Sequence, residues 1–140
     1  MIYPENFEHK IEFSKIRSLL SQNCLSTLGK EKVEEMEFSA DYDFINTLLS
    51  QTEEFVRIIQ EEDSFPADNF YDLRIVLKRV RVIGSWIDQS ALSELNKSLK
   101  TIASIVSFFE DDEKQSKYPA LSDLARDIFI SKEISRRIDY

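Results

Sequence analysis

The stretch DQSALSELNKSLKTIASIVSFFE, residues 88–110, decides the fold. Its apolar residues alternate in spacing between three and four positions, at Leu92, Leu95, Leu99, Ile102, Val106 and Phe109. That rhythm is typical of a helix that packs along its length against another helix. Asp88 can accept a hydrogen bond from a free amide of the first turn. The stretch therefore predicts a long helix over about 89–110 with Asp88 as its N-cap.

A second long helix is predicted over about 40–62. Ser39 is its candidate N-cap, and Asp41 and Asp43 suit the positive end of the helix dipole. One side carries an apolar set made of Ile45, Leu48, Leu49, Phe55 and Ile59. We expect this set to pack against the seam of the helix over 89–110, so that the two helices form one stiff element.

Shorter helices are predicted around these two from helical spacing and candidate caps. They lie at about 13–23, 27–36 with Ser26 as N-cap, 72–80, 119–128 opened by Pro119, and 132–140 capped by Ser131. Arg17 is predicted to lie on the solvent-exposed face of the helix at about 13–23. The β-branched residues of VRVIGSWI, residues 80–87, predict a brief extended piece with a turn at Gly84. The acidic run EDDEKQSK, residues 110–117, predicts a solvated loop.

The composition favours one all-α domain. The chain has 140 residues with only two glycines and three prolines, too little turn punctuation for a sandwich or barrel of many short strands. We predict a single helical domain over residues 1–140, an antiparallel helical bundle built on the two long helices. No signal peptide or apolar run of about 18 residues is present, and one cysteine cannot form an internal disulfide. We expect a soluble, cytoplasmic protein with no membrane partner.

The charge is unevenly distributed along the chain. Residues 1–70 carry 6 Lys and Arg against 15 Asp and Glu, a net of −9, whereas residues 71–140 carry 12 against 11, a net of +1. An acidic surface repels phosphate backbones, which argues against a general nucleic-acid binder. Any nucleic-acid contact must therefore be local, or made by parts of a larger protein.

The pair Gly29-Lys30 raises the possibility of a nucleotide-binding P-loop. That loop requires Gly-x-x-x-x-Gly-Lys-Ser/Thr, but Cys24 stands at the first glycine and Glu31 at the hydroxyl position. We therefore predict no nucleotide site here. Ser26 is expected to cap a helix, and Gly29 is expected to allow a crossing helix to approach closely.

Other candidates for chemistry are weak. Cys24 with His9 is the one Cys-His combination, but Cys24 lies on an apolar helical face, where a core thiol is the more common role. The acidic runs at residues 61–63 and 110–113 lack the alternating spacing of a calcium loop and are interpreted as solvated faces. No catalytic, cofactor-binding or metal-ligating residue is predicted.

The basic segment DLRIVLKRVRV, residues 72–82, is the one candidate binding surface. Arg74, Lys78 and Arg81 share a helical face, with Arg79 adjacent, and could contact the phosphates of a nucleic acid. The alternative is that these cations pair with the acidic half of the chain across a helix interface. Trp86, interleaved with apolar residues, is interpreted as a core residue, with a base-stacking platform as the alternative.

The order of five segments resembles the N-terminal core of bacterial MutS-family proteins of the second type, the branch without mismatch-reading N-terminal domains. The segments are YPENFEHKIEFSKIRSLL from Tyr3, CLSTLGKEKVEEMEFS from Cys24, QTEEFVRIIQEE from Gln51, DLRIVLKRVRVIG from Asp72 and SKEISRRID from Ser131. Each segment is weakly specific alone, and their joint order, which spans nearly the whole chain, is the specific feature.

The resemblance implies a role as a lever. In that family the helical core joins a DNA-embracing clamp to a dimeric ABC-type ATPase, often with a small nuclease domain at the C-terminus. The implied whole protein is a homodimer that uses ATP and Mg²⁺, binds branched or mismatched DNA, suppresses recombination as an endonuclease, and in some accounts rescues collided ribosomes. The family's Gly-x-Ile-x-Asp-x-Ala-Ser segment would follow shortly after Asp139, so this chain is expected to be an excised N-terminal piece.

Two functions remain open at this point. A lever that transmits motion along its long helices depends on helical integrity at positions such as Leu99. A freestanding helical adaptor would instead bind a partner protein, and it predicts a reading frame that ends near Tyr140 and an apolar groove on the surface. The lever predicts continuation into the family's downstream motifs.

Overall fold

The computed structural model describes residues 6–138, except for the side chain of Lys132, and over this range it is all-α, with nine helices and no strand. The helices are α1 Phe7–Lys10, α2 Phe13–Asn23, α3 Thr27–Glu34, α4 Tyr42–Glu61, α5 Arg74–Arg79, α6 Gln89–Phe109, α7 Asp112–Lys117, α8 Pro119–Arg126 and α9 Lys132–Ile138. The predicted fold class and the two long helices, α4 and α6, are confirmed. Residues 139 and 140 of the predicted last helix lie outside the described residues.

The chain divides into two compact units, Met1–Phe38 and Ser39–Tyr140. The first holds α1 to α3 and the second holds α4 to α9. That the whole chain folds as one domain stays a prediction.

Arg17 holds the first unit together. Its guanidinium donates hydrogen bonds to the carbonyls of Val33, Glu34 and Met36 at 2.7, 3.2 and 2.9 Å, and to Glu8 Oε2 at 3.1 Å. Carbonyls at a helix C-terminus have no partner inside the helix, so Arg17 caps the end of α3 from α2. The prediction that Arg17 lies on the solvent-exposed face of its helix was wrong, because its side chain is only 21% exposed.

Ser26 caps α3 as predicted, since its Oγ accepts a hydrogen bond from the Gly29 amide at 3.0 Å. The expected reason for Gly29 was not correct. A Cβ at this position would meet Cys24 and Ser26 of the preceding connection at 3.4 Å, an ordinary contact, rather than a crossing helix. A methyl group therefore fits at Gly29.

The core of the second unit lies where the C-terminal ends of α4 and α6 meet α7 and α8. Its buried residues are Ile58, Phe109, Tyr118 and Ala125, packed against Phe65, Ile105, Phe108 and Leu121. Phe65, from the loop after α4, makes edge-to-face contacts with Phe55, Phe108 and Phe109 at centroid distances of 5.6, 5.2 and 6.2 Å. Such ring pairs stabilise a core beyond the area that they bury.

The two long helices do not pack along each other, contrary to the prediction. α8 lies against both of them, and α6 also packs against α7 and α9. The seam residues of α6 are half-buried or buried as expected, although α6 packs against short helices and not along α4. An apolar stripe shows which face of a helix favours burial, and it does not specify the partner, because any stripe of similar width can cover it.

The expected inward face of α4 is exposed. Ile45, Leu48, Leu49, Phe55 and Ile59 all lie on the surface, and the buried residues of α4 are Glu54 and Ile58. α4 meets α8 on a different side from its apolar stripe, because the Glu54 carboxylate accepts hydrogen bonds there. Glu54 is 8% exposed, and it accepts from the amides of Ala120 and Leu121 at 3.0 and 2.8 Å.

This contact supplies the N-cap of α8. Pro119 occupies the first helical position as predicted, and Tyr118, the N-cap residue, offers no side-chain bond. The free amides of the first turn therefore take their acceptor from α4. A carboxylate on one helix thus fixes the start of another.

Glu62, directly after α4, is the centre of an ionic network. Its carboxylate accepts hydrogen bonds from Lys114 Nζ at 2.5 Å, Lys117 Nζ at 2.9 Å and Tyr118 Oη at 2.8 Å. The bond from Lys114, with those from Lys117 and Tyr118, lowers the pKa of Glu62 from 4.5 to about 2. The same contacts raise the pKa of Lys114 and of Lys117. The interpretation of the acidic run at residues 61–63 as solvated was wrong for Glu62.

Three local predictions also differ from the structure. Asp41, rather than Ser39, caps α4, by accepting from the Phe44 amide at 3.0 Å. Residues 112–117 form α7, because Asp111 caps a short helix whose first turn is acidic and whose last turn is basic. Residues 80–84 form turns rather than an extended piece, residues 85–87 have no regular secondary structure, and Gly84 takes a φ of +84° at its predicted turn. Between residues 6 and 138, no helix combines the length and the apolar character that crossing a membrane requires.

Candidate nucleic-acid interface

The candidate interface consists of the basic segment, residues 72–82, which contains α5, and of the residues that follow it up to Ile87. Leu73, buried at 8% exposure, anchors the start of the helix in the second unit. Four cations and no acidic residue occur between Leu73 and Ile87, and Asp72 and Asp88 flank the segment. The structure therefore presents a short basic surface on an otherwise acidic chain.

Arg74 is held at the start of α5 by Asp72. The Arg74 Nε and Nη2 atoms donate to the two Asp72 oxygens at 2.8 and 2.6 Å, and the Arg74 amide donates to Oδ1 at 3.1 Å. The hydrogen bonds from the Arg74 side chain have the largest effect, followed by the one from its amide, and they lower the pKa of Asp72 from 3.8 to about 2. Arg74 is thereby oriented, and its side chain remains 52% exposed.

The other three cations extend toward solvent. Arg79 Nη2 lies 3.8 Å from Asp88 Oδ2, a loose ion pair that closes the turns over residues 79–88. Lys78 and Arg81 are exposed and make no ion pair within the described part of the chain. The ion pairs of Arg74 with Asp72 and of Arg79 with Asp88 both lie within the second half of the chain.

Trp86 is on the surface and not in the core, contrary to the preferred interpretation. Its side chain is 74% exposed, and Ile83 at the tip of the turns is fully exposed. The sequence signal that could have shown this is Gly84, since a turn interrupts the periodicity that would carry Trp86 inward. Basic and exposed aromatic side chains thus lie together on one short segment.

Other candidates for chemistry occupy structural positions. Gly29 and Lys30 lie in the first turn of α3, where the Ser26 hydroxyl accepts a hydrogen bond from the Gly29 amide. Cys24 Sγ donates to the Leu20 carbonyl at 3.2 Å, and His9 lies in the last turn of α1. A search of residues 6–138 finds no group of three or more His, Cys, Asp or Glu side chains placed to hold a metal ion.

The chain is similar to three curated bacterial proteins among others, all named endonuclease MutS2. The relative from Alkaliphilus oremlandii is 30% identical over 129 residues, which is 92% of this chain and 16% of the relative. The relative from Alkaliphilus metalliredigens is 29% identical over the same shares, and that from Thermomicrobium roseum is 32% identical over 81% of this chain and 14% of its own length.

The chain thus spans about a sixth of the length of the curated relatives that it matches. No protein-family model matches it, and no solved structure matches it. The similarity covers almost all of the described residues, including the basic segment and both long helices, and it agrees with the resemblance read from five ordered segments. Over nearly its whole length, the chain therefore corresponds to one segment of the much longer MutS2-type proteins.

Proposed function

We propose that this segment is the non-catalytic lever of an ATP-dependent, DNA-handling MutS2-type protein. The observation that carries the proposal is the joint between α4 and α6. Helices of 20 and 21 residues are tied together at their C-terminal ends by Ile58, Phe109 and Tyr118, and by the network around Glu62. The whole protein would supply the ATP and Mg²⁺ sites, the nuclease and the homodimer contacts.

The joint suits the transmission of motion. Each long helix extends roughly 30 Å, at 1.5 Å per residue, so a small rotation at the joined ends becomes a larger displacement at the far ends. The buried contacts resist deformation because protein interiors are close-packed. α8 braces the pair by lying against both helices. The basic segment then adds a local contact to the phosphates of the DNA.

The lever is tested by Leu99→Pro, which removes a backbone hydrogen bond midway along α6 and kinks or breaks the helix. In a full-length protein that carries this segment, we expect DNA to lose its effect on ATP turnover, while each activity measured alone persists. Leu99→Ala is the control, since it shortens the side chain and preserves the helix. Circular dichroism is used to check that both variants fold. Unchanged coupling in the proline variant would rule out the lever.

The phosphate contact is tested by reversing Arg74, Lys78 and Arg81 to Glu in the same full-length protein. We expect weaker DNA binding and a shallower dependence of affinity on salt, because fewer counterions are released. A control variant reverses the exposed Lys15, Lys30 and Lys32 of the first unit and makes the same change in net charge. If both variants bind DNA with the same affinity and the same salt dependence, the basic segment serves solubility alone.

The alternative function is a helical adaptor that binds a partner protein. One observation favours it: the apolar stripe of α4 is exposed over Ile45, Leu48, Leu49 and Ile59. In the lever, another part of the same long polypeptide covers this stripe. A photo-crosslinking residue at Leu48 separates the two, since a bond within the same polypeptide supports the lever and a bond to a different protein supports the adaptor.

A further inference from the structure

The turns after α5 present apolar side chains to solvent. Val82, Ile83 and Trp86 are 66%, 101% and 74% exposed. The turns are held by their own hydrogen bonds, from the Val82 amide to the Arg79 carbonyl at 3.2 Å and from the Ser85 amide to the Val82 carbonyl at 3.1 Å. The Ser85 hydroxyl also donates to the Val82 carbonyl at 2.6 Å. The exposure thus belongs to an ordered turn, and exposed apolar patches of this kind mark binding surfaces.

Trp86 follows closely after a basic stretch of the sequence. Four cations lie within the same fifteen residues, and the Arg79 guanidinium reaches Asp88, two positions beyond the indole. Lys78 and Arg81 project to solvent with no ion pair among the described residues. A flat aromatic face beside cations is the combination that binds single-stranded nucleic acid, with phosphates on the cations and a base stacked on the ring.

A duplex does not fit the same chemistry. The faces of paired bases are covered by their neighbours in the stack, so an indole on a surface turn reaches a base face only where the base is unpaired. A partner made of apolar protein alone would leave the cations around Trp86 without a counter-charge. The juxtaposition of Trp86 with Lys78, Arg79 and Arg81 therefore favours an unpaired, negatively charged strand.

We propose that Trp86 is a stacking platform for an unpaired nucleobase, with Lys78 and Arg81 holding the adjacent phosphates. This inference rests on the proposed nucleic-acid contact and deepens it by naming the ligand as single-stranded nucleic acid, whether DNA or RNA. Arg74 and Arg79, which pair with Asp72 and Asp88, add two further positive charges to the same basic segment.

The test uses the fact that Trp86 is the only tryptophan in the chain, so its fluorescence reports on this site alone. The probes are a short oligothymidylate, an oligouridylate, a duplex, and an abasic phosphodiester strand of equal length. We expect both single strands to quench the fluorescence, and the one that binds more tightly shows whether the DNA or the RNA probe is preferred. The abasic strand should bind weakly and leave the fluorescence unchanged.

Substitutions separate stacking from charge. Trp86→Ala should weaken single-strand binding about 5- to 100-fold, and Trp86→Phe should retain most of the affinity. Phe129→Ala is the matched control, since Phe129 is an exposed aromatic residue of the same unit that lies outside the basic segment. It should bind as the unchanged chain does.

The outcomes distinguish this inference from the proposed function. If the abasic strand binds as tightly as oligothymidylate, or if the duplex quenches equally, stacking on an unpaired base is wrong, and the phosphate contact stands. If no nucleic acid binds, the stacking platform and the phosphate contact are both wrong, while the lever is unaffected.

Discussion

Glu54 shows how a single side chain decides which helices meet. Its carboxylate is nearly buried on α4, and it accepts two amide hydrogen bonds at the start of α8. Since the N-terminal amides of a helix need an acceptor, this contact positions α8 along α4 more specifically than apolar packing does. In the sequence, Glu54 is one of many acidic residues, and no local pattern marks it as a cap.

We predict that Glu54→Ala lowers the free energy of unfolding by about 1–3 kcal/mol, because it leaves two partly buried amides without an acceptor. Urea denaturation measures the change. Glu53→Ala is the matched control, because Glu53 is exposed on the same helix and should change the stability by less than about 0.5 kcal/mol. Equal effects in the two variants would mean that α8 does not depend on this cap.

Ser26 and Trp86 mark what can be predicted for single residues. The N-cap at Ser26 was predicted correctly, because capping depends on a hydroxyl three residues before an amide, which is a local relation. The burial of Trp86 was predicted wrongly, because burial depends on what the rest of the chain places over the indole. For the basic segment, the sequence identified the cations but not that the aromatic residue lies exposed beside them.

At the scale of helices, the local signals were reliable and the partners were not. α2, α5 and α6 begin and end close to their predicted bounds, because periodicity and caps are encoded within each helix. α7 was missed, since its residues have no apolar stripe and resemble a solvated loop. Its helical character depends on the Asp111 cap and on the ion pairs of Lys114 and Lys117 with Glu62.

The pairing of α4 with α6 was the main error. Both helices carry apolar stripes, and two stripes of similar width suggest that they match. In the structure, the short helix α8 lies against both, fixed by Glu54, and the stripe of α4 is left on the surface. A short amphipathic helix is a weak signal in a sequence, yet it decides which sides of the long helices face inward.

At the scale of the whole molecule, the network around Glu62 makes stability depend on pH. The folded pKa of Glu62, about 2, lies below its usual 4.5, so the stabilisation is fully present above pH 4.5 and is lost as the pH falls toward 2. Asp72, lowered from 3.8 to about 2, acts in the same direction. Because the pKa values of Lys114 and Lys117 are raised, their contribution to stability is fully present below pH 10.5 and is lost as the pH rises above it.

We therefore predict that the midpoint of thermal unfolding falls steeply as the pH is lowered from 4.5 toward 2. In Glu62→Gln the midpoint should be lower at neutral pH, and the fall in acid should be smaller, because this carboxylate no longer titrates. Glu53→Gln, an exposed neighbour on α4, should follow the unchanged chain at every pH. Parallel pH profiles for Glu62→Gln and the unchanged chain would show that the network does not contribute.

The sequence by itself determined the all-α class, the positions of the two long helices, the caps at Ser26 and Asp88, and the correspondence to a segment of MutS2-type proteins. These depend on relations between residues near one another along the chain, or on the order of segments. Only the tertiary structure decided that α8 joins α4 to α6, that Glu54 and Glu62 are held by distant partners, and that Trp86 faces solvent. These depend on contacts between residues far apart in sequence, where many apolar stripes and many charges are equally plausible partners until the fold selects one.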